Sequence, residues 1–168
     1  MQQNRSITRF KVENNKFNLF LDNARLLHDK FGIVPLLYGS LGLEYLTGED
    51  LGADDVDVLI PRVFISEKWD AFKAALEAHG YTLTDEREHT FTRGGVAYSY
   101  ADIEDLTPFA DIDIGNIDTK EADGVRFLLL SLEQYLAVYR RSCVDGYRIN
   151  VRQKKDYEKI RFIEGKIP

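Results

Sequence analysis

The sequence predicts an α+β domain, a mixed β-sheet flanked by helices with further helices toward the C-terminal end. Apolar residues recur at helical spacing near both ends, and a run of short β-rich segments fills the middle without regular strand–helix alternation. The 168 residues, 44% hydrophobic and 30% charged, have the size and composition of one globular domain. Residues 1–168 are read as a single domain, with a core over about 13–130 and a helical segment over about 131–165.

Residues 1–11 are polar and without period, an edge or start segment. From Glu13 to about Lys30, Phe17, Phe20, Leu21, Ala24 and Leu27 mark one helical face, and Gly32 ends it. Ile33 to Tyr38 reads as a buried strand, Gly39-Ser40 as a turn, and Leu41 to Leu46 as a short helix. Thr47 to Asp54 is a loop rich in glycine and acid. Asp55 to Ile60 reads as a central strand closed by Pro61. Ser66 is the expected N-cap of a helix to His79, whose stripe is Trp69, Phe72, Ala75 and Leu76.

Tyr81 to Thr84, Glu88 to Arg93 and Val96 to Ala101 read as strands, and Gly94-Gly95 suits a hairpin turn between the last two. A strand is expected near Ala110 to Ile114 and another over Val125 to Leu130. Ser131-Leu132-Glu133-Gln134 has the form of a capping box, opening a helix to about Ser142. A last helix runs from about Val151 to Glu164.

The net charge of −6 argues against a general nucleic-acid binder, which needs a basic surface to displace counterions. Cys143 is the only cysteine, so neither an intrachain disulfide nor a cysteine-based zinc site is available. It reads as a small, partly buried residue, and His89 as a strand residue without a chemical role. The longest apolar run, Phe127 to Leu130, is far too short to span a membrane, and the N-terminal residues lack the apolar core of a signal peptide. A cytoplasmic location is the expectation.

Charge is unevenly placed. Residues 41–57 hold six acids and no lysine or arginine, and residues 101–124 hold eight acids against Lys120. Residues 139–166 carry nine bases and four acids. Such runs are ordinarily solvated faces; the sharper reading is an acidic metal-holding centre with a basic flank for an anion. Arg152, Lys154, Lys155 and Arg161 are the cations that would steer a triphosphate, and Tyr98 and Tyr100 the aromatics that would stack on a base. For both sets, ordinary surface or core packing is the simpler account.

The chemistry concentrates in Leu37-Tyr38-Gly39-Ser40 and Asp54-Asp55-Val56-Asp57-Val58-Leu59-Ile60. On a strand, Asp55 and Asp57 would point to one face, and two adjacent carboxylates repel. A divalent cation neutralises both, and Mg²⁺ favours one or two carboxylates plus phosphate oxygens. Gly39-Ser40, between a strand and a helix, offers backbone N–H groups and a hydroxyl that suit phosphate. No Gly-Lys-Ser/Thr follows, so this is not a Walker loop.

Together these segments resemble the signature of the nucleotidyltransferase superfamily related to DNA polymerase beta. That signature is an apolar strand, Gly-Ser or Gly-Gly, a short helix and loop, then Asp-apolar-Asp-apolar on the next strand. The resemblance is specific over residues 33–61, looser over Leu129 to Tyr139, and suggestive over Lys155-Asp156-Tyr157. It is closest to small bacterial members, the minimal and lincosamide-type nucleotidyltransferases, and Ile60-Pro61-Arg62 after the acidic motif echoes the phosphocholine-transferase branch.

The resemblance implies that Gly39 and Ser40 grip nucleotide phosphates and that Asp55 and Asp57 hold two Mg²⁺ ions. It also implies a third carboxylate from a neighbouring strand. Ser99 stands near that place, so Asp102 just beyond it is the first choice, and Asp111, paired with Asp113, the second. The implied activity is metal-dependent transfer of a nucleoside monophosphate from a nucleoside triphosphate to a hydroxyl acceptor. The acceptor is a small molecule such as an antibiotic, a sugar phosphate or a protein side chain; long nucleic acid and membrane are not expected. A homodimer or a partner protein is also implied. The alternative is a catalytically weak or inactive binding module of the same fold, in the manner of an antitoxin partner. A nucleotide-sugar glycosyltransferase, which also uses Asp-x-Asp, normally needs a longer chain.

Overall fold

Seven strands, β1 (Leu36–Tyr38), β2 (Val56–Ile60), β3 (Thr82–Asp85), β4 (Thr90–Arg93), β5 (Val96–Asp102), β6 (Asp118–Ala122) and β7 (Val125–Leu129), form one mixed sheet in the order β3-β4-β5-β2-β1-β7-β6 among the described residues. The structure is a computed structural model; it describes residues 15–144 and 151–168, excluding the side chains of 151–154. The segment 1–11 and the expected helix start at Glu13 lie outside the described residues.

Helix α1 (Asn15–Phe31) buries Phe17, Phe20, Leu21, Ala24 and Leu27, the periodic residues that predict it. Strand β1 (Leu36–Tyr38) leads directly into helix α2 (Gly39–Thr47), which begins at the expected turn itself and ends on left-handed Gly48. Strand β2 (Val56–Ile60) starts one residue later than expected, leaving Asp55 in a bend. After Pro61 the chain makes a 3₁₀ turn (Arg62–Ile65), and helix α3 runs over Trp69–Ala78. Ser66 is therefore not its N-cap: its hydroxyl bonds back to the Arg62 carbonyl at 2.8 Å, closing the 3₁₀ turn instead.

Strands β3 (Thr82–Asp85), β4 (Thr90–Arg93) and β5 (Val96–Asp102) follow. Gly94 and Gly95, both at positive φ, make the two-residue turn of the β4–β5 hairpin. His89 lies in the β3–β4 connection at φ 52, outside any strand, its ring edge-on to Trp69. Strands β6 (Asp118–Ala122) and β7 (Val125–Leu129) flank Asp123-Gly124, again both at positive φ. The expected strand near Ala110–Ile114 is instead the end of helix α4 (Leu106–Ala110), left-handed Asp111, and a 3₁₀ turn (Ile114–Asn116).

The chain divides into two compact units, one of Met1–Ile103 with Thr119–Leu129, the other of Glu104–Asp118 with Leu130–Pro168. In the first, Leu37, Val56, Val58, Ile60, Tyr98, Tyr100, Val125, Phe127 and Leu129 pack with α1 and α3 into the main apolar core. Phe17, Phe20 and Phe127 meet edge-on or stacked there, as do Phe72, Phe91 and Tyr100. Alternation then sends Asp57 and Leu59 to the other face of β2.

In the second unit, helix α5 (Leu132–Val144) opens with the expected reciprocal cap: Gln134 N–H donates to Ser131 Oγ, and Ser131 N–H to Gln134 Oε1. Helix α6 (Val151–Glu164) joins α5 through a buried bond, Ser142 Oγ to Asp156 Oδ2 at 2.9 Å, and an exposed ion pair between Arg140 and Glu164. No helix among the described residues is long and apolar enough to cross a membrane.

Candidate functional site

The antiparallel pairing of β1 with β2 sets Tyr38 opposite Asp57, so the start of α2 falls beside that carboxylate. Gly39 is the contact. Its φ is +65°, and a Cβ built on it would overlap Asp57 Oδ2 and stand 3.3 Å from Asp57 Cβ and Cγ. Only glycine accepts both the left-handed backbone and that approach. Tyr38 occupies the N-cap position in extended conformation. A carboxylate against a helix N-terminus is favoured by the helix dipole. An anionic ligand at the same amides would compete with it unless a cation lay between the two charges.

The segment between the motifs is held by a residue outside the signature. Glu44, buried inside α2, accepts from the backbone N–H of Leu51 at 2.8 Å and of Ala53 at 3.1 Å through Oε2. Asp50 Oδ1 accepts from Gly52 N–H at 2.8 Å and tightens the same loop. Asp54 and Asp55 follow, exposed, and Asp57 is half-buried in β2. In the sequence Glu44 is one acid of the 41–57 run, and its signal is that of a lone carboxylate inside the apolar helix Leu41 to Leu46, a group that needs a partner.

Parallel pairing of β2 with β5 places Ser99 beside Asp57 and Asp102 beside Ile60. Ser99 Oγ is 2.8 Å from Thr90 Oγ1, its neighbour on β4. Asp102 does not join Asp57: it lies three residues further along β5, on the opposite face by alternation. There it is buried and ion-paired to the Arg62 Nε. Asp111 is the left-handed residue ending α4, and Asp113 accepts from Gly115 N–H at 2.9 Å as a 3₁₀ cap. Both belong to the second unit and neither sits on a strand. Among the described residues no three His, Cys, Asp or Glu side chains group closely enough to hold a metal. Of the acids singled out in the sequence, Asp55 in the bend before β2 and Asp57 on β2 are the two beside the start of that strand.

The aromatic candidates face the core. Tyr98 and Tyr100 are buried, Tyr98 with an unpartnered hydroxyl and packing edge-on against Tyr81, Tyr100 edge-on against Phe72. Burial, reinforced by Tyr81, pushes the Tyr98 phenol up to about 12 and the Tyr100 phenol well above its usual value. Burial and the nearby Asp156 also raise the Cys143 thiol, which disfavours a nucleophilic thiolate. Lys155 and Arg161 are exposed on α6, and the side chains of Arg152 and Lys154 lie outside the described residues.

No protein-family model matches the chain. The chain is 42% identical over 147 residues to the uncharacterized protein YnaI of Bacillus subtilis (strain 168), covering 88% of this chain and 94% of that protein. Among solved structures, it is similar to an antigenic nucleotidyltransferase-like protein from Paracoccidioides brasiliensis. The TM-score is 0.58 at 16% identity, over 87% of this chain and 73% of that one. The antibiotic-resistance factor ANT(2'')-Ia aligns over 90% of this chain and 91% of its own, at a TM-score of 0.49 and 16% identity. The chain therefore belongs to the family of YnaI, and it shares the fold of the nucleotidyltransferase-like protein from Paracoccidioides brasiliensis.

Proposed function

We propose that the chain binds a nucleoside triphosphate with Mg²⁺ and transfers the nucleoside monophosphate to a hydroxyl acceptor. The observation that carries this reading is the contact of Gly39 with the Asp57 carboxylate. It brings a helix N-terminus and a carboxylate to one point, within a nucleotidyltransferase-like fold. In this reading the first-turn N–H groups of α2 and the Ser40 hydroxyl bind phosphate oxygens. Asp55 and Asp57 hold the ion, and Glu44 fixes the loop that delivers them. Bound Mg²⁺ supplies charge neutralisation on the phosphates. The acceptor oxygen attacks the α-phosphorus, the bond to pyrophosphate breaks, and the hydroxyl proton leaves to solvent.

A second reading is a nucleotide-fold binding module without turnover, with a protein partner. The neutral Ser99 beside Asp57, where an acid is expected, favours it. The test is thermal melting with Mg²⁺ and each nucleoside triphosphate, on wild type and Asp57→Ala. Binding at about 100 times the dissociation constant adds roughly 2.7 kcal/mol to the folded state. The expected result is a Mg²⁺-dependent rise in Tm with at least one nucleotide, lost in a folded Asp57→Ala protein that also releases no pyrophosphate. Full pyrophosphate release by that variant sinks the transfer reading, and no shift with any nucleotide sinks nucleotide binding.

A further inference from the structure

We infer that this site takes a single divalent cation and that Ser99 sets that number, an inference that rests on the nucleotide reading above. Asp57 and Ser99 are partners in the parallel β2–β5 pairing. Their side chains leave the same face of the sheet from strands about 4.8 Å apart. The residue that the neighbouring strand presents to Asp57 is therefore a neutral hydroxyl. Its contact with Thr90 Oγ1 at 2.8 Å runs along the sheet, away from Asp57, because Thr90 is its register partner on the far side.

The acid on the same strand cannot substitute. Asp102 is an odd number of residues from Ser99, so it points to the opposite face, about 10 Å further along at strand rise. Its charge is engaged by Arg62. In the second unit, Asp111 is the left-handed residue ending α4, and the Asp113 carboxylate accepts from Gly115 N–H.

The supply of protein ligands then sets the ion count. Asp55 and Asp57 supply carboxylate oxygens for one divalent ion. A second would rest on phosphate oxygens alone, and in a two-ion displacement it is the second that prepares the attacking oxygen. The chain holds its nucleotide with one ion and turns it over slowly, because among the described residues the β5 partner of Asp57 is a hydroxyl and not a carboxylate.

The test titrates Mn²⁺ into the full chain with an equimolar mixture of the α,β-methylene analogues of the four nucleoside triphosphates, reads free Mn²⁺ by electron paramagnetic resonance, and subtracts the same titration of the analogues without protein. Wild type is expected to bind one ion per chain, with affinity falling at least tenfold in Asp57→Asn. Ser99→Asp is expected to gain a second ion, while Ser99→Asn, neutral and of similar shape, stays at one. Two ions in wild type overturn the inference and leave the nucleotide reading standing. So does a folded Ser99→Asp protein that titrates like Ser99→Asn. No Mn²⁺ bound by wild type overturns both. If Ser99→Asp does not fold, the wild-type stoichiometry decides.

Discussion

Gly39 carries two demands at once, a φ of +65° and the approach of Asp57 to its Cα. Replacing it by alanine strains the backbone and drives a methyl group into a carboxylate. Gly39→Ala should cost about 1–3 kcal/mol, read from urea unfolding. Part of that cost is steric and belongs to the pair. Gly39→Ala combined with Asp57→Ala should therefore lose less than the sum of the two single variants; strict additivity would show that the contact does not exist in solution. The motif Gly39-Ser40 was legible in the sequence, and so were Asp55 and Asp57. The reason for glycine was not, because it lies on β2, eighteen residues away in the chain.

At the scale of elements, the loop from Gly48 to Asp54 is ordered by α2 as well as by its own Asp50–Gly52 turn. Glu44 accepts two of its amides from inside the helix. Glu44→Ala should leave those amides without their acceptor and raise hydrogen exchange at Leu51 and Ala53 at least tenfold, since an unsatisfied buried group costs about 1–3 kcal/mol. Glu44→Gln, which keeps an oxygen acceptor, should fall between. Unchanged exchange in Glu44→Ala would remove this role.

Local chemistry explains which elements could be read. The Ser131–Gln134 cap and the Gly94-Gly95 hairpin depend on neighbours in sequence. The same rule applied to Asp123-Gly124 would have found β6, whose exposed Asp118, Thr119 and Glu121 hide the alternation of an edge strand. Ser66 misled because a hydroxyl that can cap a helix can equally close a 3₁₀ turn.

At the scale of the molecule, the core sets a pH limit. Tyr98 has its phenol pushed up to about 12 by burial, and Tyr100 moves the same way. The unfolded chain loses these protons near pH 10. The associated stability is thus complete below about pH 10 and is lost as pH rises through about 12, because the unfolded state releases protons first. Melting temperature should fall steeply over that range. Tyr98→Phe should flatten the fall, and near neutral pH it should cost little, since the hydroxyl it removes has no partner. An equally steep fall in Tyr98→Phe would assign the alkaline limit elsewhere.

The sequence alone determined the α+β class, the order of most elements and the Gly39-Ser40 and Asp55–Asp57 signature, because periodicity, caps, turns and short motifs are local. Which residue meets Asp57 across the sheet was decided by tertiary structure alone. Strand register is set by burial of Val56, Val58, Tyr98 and Tyr100 in a shared core, and a slip of one residue would reverse every face. That register puts Ser99 at the site and sends Asp102 to the other side, a choice that residues forty positions apart make only once the core has closed.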